Sequence, residues 1–353
     1  MKTFLLKCAA MTAVSAMLIM TLNYVLDPLC FYRFPSLYRA QYSTNARHQL
    51  PGFIRNAEYD TILVGTSMSR NFRESHVDRV LGGTSLNAAL PAGTAREQRL
   101  AAELALSTRP VKRIIWELNF YSFARAADDV EDDQDDFPYH LWDMNVWNDW
   151  KYLFNPYPLE RMFDIWRANR NGSEQNRDRE MLFKFGFDQP PLTLAKVREL
   201  VDIPNAASQS NYRESVMMRN FRANVLETVR AHPDTEFWFF YPPYAVFWHV
   251  RAQKTNANYI QEITRTKVAM YRELSRFPNA KLYDFQDRAE ITHRIDHYMD
   301  VAHYFPYMND RIIEMMANEP PLSSEDEAVR RAKTLEEQVL GFDESRLTIG
   351  QTP

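Results

Sequence analysis

Glycine is scarce in this chain, with nine in 353 residues. A turn-rich barrel or solenoid needs more, and no internal repeat is present. Cysteine is scarcer: Cys8 lies inside the first apolar run and Cys30 just beyond it. The pair does not read as a structural disulfide, so the rest of the chain carries no cross-link. No lipoprotein pattern surrounds Cys8, because Lys7 precedes it and the apolar run follows it. A dominant sign of charge is also lacking. The formal net charge is −4, and nucleic-acid binding usually leaves a basic footprint. What the chain has is apolar mass: 45% hydrophobic and 13% aromatic residues. That supports a sizeable core, in one large domain or two ordinary ones.

From Cys8 to Leu26 there is no charge, and Asp27–Pro28 closes the stretch. As a helix it spans roughly 28 Å, against a hydrocarbon core of about 30 Å. Thr12, Ser15, Thr21 and Asn23 make it a mediocre span. A cleaved signal peptide is the rival, but the apolar run continues past the small-residue site "AVSA" through "MLIMTL". The expectation is an uncleaved anchor over residues 1–30. Lys2 and Lys7 keep the short N-terminal side in the cytoplasm, and everything after Asp27 is exported.

Beyond a juxtamembrane linker (31–57), short apolar runs alternate with helical patterns. "DTILVG", "TSLNAAL", "VKRIIWELNF", "EFWFFYPPY" and "AKLYDF" read as strands. "SRNFRESHVDRVLG", "AGTAREQRLAAELALST", "VMMRNFRANVLETVRAH" and residues 261–274 read as helices. This alternation predicts an α/β layered fold on a parallel sheet. Residues from about 121 to 211 break the rhythm and read as an aromatic-rich insertion over one end of the sheet. It opens with the acidic run Asp128–Asp136, a solvated loop that lacks the glycine spacing of a calcium-binding loop. Its tryptophans form either a subdomain core or a stacking surface for sugars. Residues 321–353 read as a charged tail, helical and then disordered.

Open α/β sheets bind ligands at the carboxyl ends of their strands. The first strand ends at Gly65, Thr66 and Ser67; the third at Glu117, Leu118 and Asn119. Gly93 follows the second, and Asp300 and His303 lie in "YMDVAHY". Together these make a nucleophilic acyl-transfer set. A serine hydroxyl needs a base; His303 can take its proton, with Asp300 orienting the ring. Ser67 N–H at a helix N-terminus, Gly93 and Asn119 can donate to an oxyanion, at roughly 3 kcal/mol per donor. Arg70 is a weaker candidate for binding substrate, and Tyr241 and Tyr244 in "FYPPY" for lining a pocket.

These blocks resemble the SGNH (GDSL-type) hydrolase superfamily over residues 58–318, with the insertion aside. "GTS" matches the nucleophile block, Gly93 the second, Asn119 the third and "DVAH" the D-x-x-H block. Two departures stand out: Thr66 replaces the usual Asp before the nucleophile, and the third block reads "ELNF". With its N-terminal anchor, the chain is most similar to the membrane-anchored branch of alginate O-acetylation and teichoic-acid D-alanylation proteins. The resemblance implies a three-layer SGNH-like fold over 58–320. It also implies acyl transfer, expected to be of acetyl, to or from a cell-envelope polysaccharide. A multi-pass membrane O-acyltransferase is the implied partner, and no cofactor is called for.

Three other readings stand beside it. With water as acceptor, the same site is a periplasmic esterase. His293 and His297 have the i, i+4 spacing of a metal pair, but Arg294 stands where H-E-x-x-H needs Glu. A non-catalytic polysaccharide-binding scaffold would have no need of the full Ser–Asp–His set.

Overall fold

The computed structural model describes residues 1–131, 137–203 and 211–350. The chain forms two compact units: Met1–Glu58, Leu104–Arg109 and Asp135–Phe183 in one, and Tyr59–Glu103, Pro110–Gln134 and Lys184–Pro353 in the other.

In the second unit, five parallel strands form one sheet: β1 (Thr61–Val64), β2 (Ser85–Asn87), β3 (Arg113–Glu117), β4 (Glu236–Tyr241) and β5 (Ala280–Asp284). Their order is β2-β1-β3-β4-β5. All four residues of β1 and all five of β3 are buried, as expected of parallel strands covered on both faces. The chain steps outward from β1 to β2, then crosses back to β3 and proceeds one way. With right-handed crossovers, this puts helix Glu74–Leu81 on one face of the sheet and the later connections on the other. The reversal creates a topological switch point between β1 and β3, where ligands of such sheets bind.

The strands fall where the apolar runs predict, with trimmed ends. The segment after β1 differs from expectation. It starts with a three-residue 3-10 turn, Ser67–Ser69, and the helix proper begins at Glu74. Ser67 therefore does not sit at the N-terminus of a full helix. The C-terminal segment, expected to be helical and then disordered, is helical over Glu325–Leu340 and is packed. Helix Glu325–Leu340 buries Ala328, Ala332, Leu335 and Val339 and packs on helix Tyr259–Leu274. Only residues 351–353 of that segment lie outside the described residues.

The first unit contains helix Lys2–Leu26, which is long and apolar enough to cross a membrane. Asp27 caps it in the left-handed region at φ 42°. The Asp27 carboxylate accepts the N–H groups of Phe31, Tyr32 and Arg33 and the Tyr152 hydroxyl, each at 2.8 Å. Helix Ala46–Asn56 approaches this turn so closely that a Cβ on Gly52 would lie 2.0 Å from the Leu29 carbonyl oxygen. Cys8 is exposed, Cys30 is buried, and both are free thiols.

The expected insertion is divided between the units. Residues 135–183 belong to the unit of the N-terminal helix, whereas 121–134 and 184–211 belong to the sheet unit. Of the acidic run, Asp128, Asp129 and Glu131 are described, and residues 132–136 lie outside the described residues. Arg125 pairs with both Asp129 and Glu131.

Candidate active site

β1 ends in Gly65-Thr66-Ser67, and the turn there is built for close contact. A Cβ on Gly65 would lie 2.5 Å from Ser69 Oγ and 2.6 Å from Glu117 Oε2, distances that side chains do not tolerate. Thr66, not Ser67, caps the 3-10 turn, its hydroxyl accepting from Met68 N–H. The Ser67 hydroxyl is left for other work.

His303 Nε2 is 2.8 Å from Ser67 Oγ. On the other side of the ring, His303 Nδ1 is 2.8 Å from Asp300 Oδ2 and 3.1 Å from Oδ1. The Asp300 carboxylate also accepts the Ala302 and His303 backbone N–H groups, each at 2.8 Å. Burial alone would raise the Asp300 carboxyl. The hydrogen bond and charge of His303 and the two backbone donors outweigh burial and hold it below the usual carboxylate range. This loop is closed by a bridge between Tyr298 and Tyr304 and by the Met299 N–H to His303 O bond. Tyr304 Oη and Asn309 Nδ2 both donate to Met68 O, tying the loop and the following helix, Pro306–Asn318, to the Ser67 turn. Ser67, His303 and Asp300, expected from separate sequence blocks, thus form one hydrogen-bonded chain at the switch point. The His303 and Asp300 side chains are 26% and 50% exposed, so the chain opens to solvent on one side.

The three expected oxyanion donors are not equivalent. Ser67 N–H, first in its turn, has no carbonyl partner among the described residues. Gly93 lies beside the turn, since its Cβ would sit 3.2 Å from Gly65 O, but its N–H donates to Leu90 O at 3.1 Å. Asn119 Nδ2 donates to Glu117 Oε1 at 3.1 Å and to Tyr244 Oη. Its Oδ1 caps the next short helix by accepting Tyr121 N–H. Gly93 and Asn119 therefore have their hydrogens engaged in local structure.

Tyr241 and Tyr244 do not line an open pocket. Tyr241 is buried, stacked on Phe120, with the Lys267 ammonium 4.8 Å from its ring centre. Tyr244 is buried against Trp248 and accepts from Asn119. Burial, then the nearby Glu117 carboxylate, pushes the Tyr244 hydroxyl well above its usual range. The aromatic run of β4 supplies core on both faces of its strand, which explains the inward direction. Arg70 does stand at the site: its guanidinium lies 5.6 Å from the Phe185 ring centre, and that ring meets His303 edge-on at 5.2 Å. His293 ends the short helix Ala289–Thr292, with Nδ1 3.2 Å from the Thr292 hydroxyl. His297 lies in the following 3-10 turn, stacked edge-on against Tyr307. The two are not on one continuous helix. Among the described residues no group of three or more His, Cys, Asp or Glu is arranged to hold a metal ion.

Two participants escape sequence reasoning. Glu117, fully buried at the end of β3, accepts Thr66 N–H at 2.9 Å, the Thr66 hydroxyl at 2.7 Å, the Ser69 hydroxyl at 2.7 Å and Asn119 Nδ2. It pins both sides of the Ser67 turn. A Glu closing an apolar strand is the only signal of it in the sequence. Phe185 comes from the expected insertion. Its N–H donates to Asn71 Oδ1, the adjacent Lys184 pairs with Glu74 at 3.1 Å, and Gly186 at φ 84° carries the chain closely past Met299. No local pattern announces that contact.

No protein-family model matches this chain, and no curated protein matches it. Among solved structures, one described as "The structure of a putative platelet activating factor from Streptococcus pneumonia" aligns over 77% of this chain and 88% of its own, at 10% identity and a TM-score of 0.40. At that score the likeness carries no argument about the site, whose interpretation rests on its own geometry.

Proposed function

We propose that the protein is an SGNH-like serine O-acyltransferase that moves an acyl group, expected to be acetyl, to a hydroxyl of a cell-envelope polysaccharide. The Ser67–His303–Asp300 hydrogen-bonded chain carries this reading. Ser67 Oγ attacks the acyl carbonyl while its proton passes to His303 Nε2. Asp300 holds the ring and stabilises the imidazolium. The tetrahedral oxyanion is met by Ser67 N–H. Gly93 N–H or Asn119 Nδ2 would add a second donor only by leaving its present acceptor. Collapse expels the donor's leaving group, which takes the proton from His303. A sugar hydroxyl then attacks the acyl-enzyme, gives its proton to His303, and departs as the ester, with the Ser67 hydroxyl restored. Water in place of the sugar completes an esterase cycle instead.

An uncleaved helix Lys2–Leu26 would anchor the protein in the inner membrane and leave the sheet unit in the periplasm. Its last turn is integral to the fold: Asn23 is buried, and Leu26 O accepts the Tyr38 hydroxyl at 2.7 Å. Cleavage after Leu26, at the end of the helix, would remove both groups. A multi-pass membrane O-acyltransferase as acyl donor completes the reading.

The test is turnover of p-nitrophenyl acetate by the full chain in detergent, with and without oligosaccharide hydroxyls. Acceleration by oligosaccharide with formation of acetylated sugar supports the transferase. Acetate release indifferent to sugar would assign the esterase. A folded protein without turnover, unchanged by Ser67→Ala, would remove both.

A further inference from the structure

Trp147 and Trp150 are 87% and 56% exposed, and Phe154 is half-exposed. Singly exposed apolar residues are ordinary. These three fall within eight residues, and the chain carrying them is fastened to the apolar N-terminal helix within one compact unit. Asn23, in the last turn of that helix, donates Nδ2 to Leu153 O at 2.8 Å and to Asn155 O at 3.0 Å. Tyr152 donates to Asp27 just past the helix end. The helix packs against both Trp150–Leu153 and Pro156–Arg170.

The fastening sets a level. Asn23 lies three residues from the helix end at Leu26, about 5 Å along the axis at about 1.5 Å per residue. At about 1.5 Å per residue the 25-residue helix outruns a hydrocarbon core of about 30 Å, so its last turn reaches a headgroup layer roughly 5–8 Å thick. Trp150 and Phe154, within a turn of Leu153, fall at that depth. Trp gains most there, because its ring is apolar and its N–H polar. Between residues 144 and 170 the chain carries the bases Lys151, Arg161, Arg167 and Arg170 and the acids Asp149, Glu160 and Asp164. Near balance of charge means that aromatic burial, not attraction to anionic lipid, supplies the contact.

We infer that Trp147, Trp150 and Phe154 dock into the headgroup layer of the bilayer spanned by helix Lys2–Leu26, as a second membrane contact beside the anchor. The inference rests on the anchor reading given above. Full-length protein of confirmed intact mass is reconstituted into phosphatidylcholine vesicles carrying bromine on the acyl chains, either near the headgroup or near the bilayer centre. Tryptophan emission falls with shallow bromine more than with deep bromine. Trp147→Phe with Trp150→Phe removes most of that fall, and adding phosphatidylglycerol changes it little. Protein that incorporates normally but whose shallow quenching is the same in the double variant overturns the docking and leaves the anchor standing; those residues would then face water or a protein partner. Protein that does not stay with vesicles after alkaline washing overturns the anchor, and the docking with it. Quenching that appears only with anionic lipid overturns the aromatic mechanism.

Discussion

Glu117 concentrates the energetics of the site in one side chain. Four donors meet its two oxygens, and three belong to Thr66 and Ser69, on either side of Ser67. In Glu117→Gln an amide N–H would face hydroxyl and backbone donors and leave buried groups unmatched. We predict a loss of about 1–3 kcal/mol in urea unfolding. A fall in kcat with little change in KM should accompany it, because the turn that aims Ser67 loosens. A stable variant with unchanged kcat would contradict that positioning role. Asp300 offers a second residue-scale prediction. Its folded pKa is depressed, so its contribution is complete above the ordinary carboxylate pKa and is lost as pH falls through the folded value. The Asp300–His303 bond therefore survives into acid beyond the ordinary titration of an aspartate, and Asp300 does not set the acid limb of activity. Asp300→Asn should lower kcat by on the order of 10³-fold or more, measured as p-nitrophenyl acetate turnover.

At the scale of elements, the turn after β1 and the segment 184–187 do different jobs. The turn excludes any side chain at residue 65. Gly65→Ala should therefore abolish turnover through the clash with Glu117 and Ser69, while circular dichroism reports a folded sheet unit. Segment 184–187 lays Phe185 against His303. If that ring limits water at the acyl-enzyme, Phe185→Ala raises the ratio of hydrolysis to sugar transfer. An unchanged product ratio would assign the ring to packing alone. These elements also mark what could be read in advance. "TILVGTS" announces a buried strand and tight turn, because apolar burial and glycine sterics act locally. "DVAH" announces the Asp300–His303 pair for the same reason. Glu117 is hidden because three of its four donors lie 48 to 51 residues away in sequence, and Phe185 because Asn71 and Glu74, which hold its segment, are more than a hundred residues upstream. Tyr241 and Tyr244 read as pocket residues because an aromatic run does not state which face is buried. Helix Glu325–Leu340 did carry a readable signal, apolar residues at 328, 332, 335 and 339 after a Ser324 cap. The acidic first turn masks that packing face, not the helix itself.

Over the whole molecule, several histidines are folded in their neutral form. Burial, then Lys267, pulls His249 down to about 3; burial, then Arg294, pulls His297 to about 4; burial, then Lys151, pulls His140 to about 4. The unfolded chain binds these protons near pH 6.5 and the folded chain does not. Stability is therefore highest above that pH and declines as pH falls toward the folded values. Melting temperature should drop steadily on acidification from about pH 7 to about pH 5, and His249→Gln should flatten the slope. A melting temperature constant over that window would refute the assignment.

The central claim, that Ser67 is a nucleophile activated by His303, is tested most directly by trapping it. Full-length protein treated with a fluorophosphonate ester should gain a single adduct by intact mass, mapped to Ser67 by peptide sequencing. The adduct should be absent in Ser67→Ala and form far more slowly in His303→Ala. A folded wild-type protein that takes no adduct, or takes it at another residue, would contradict the account.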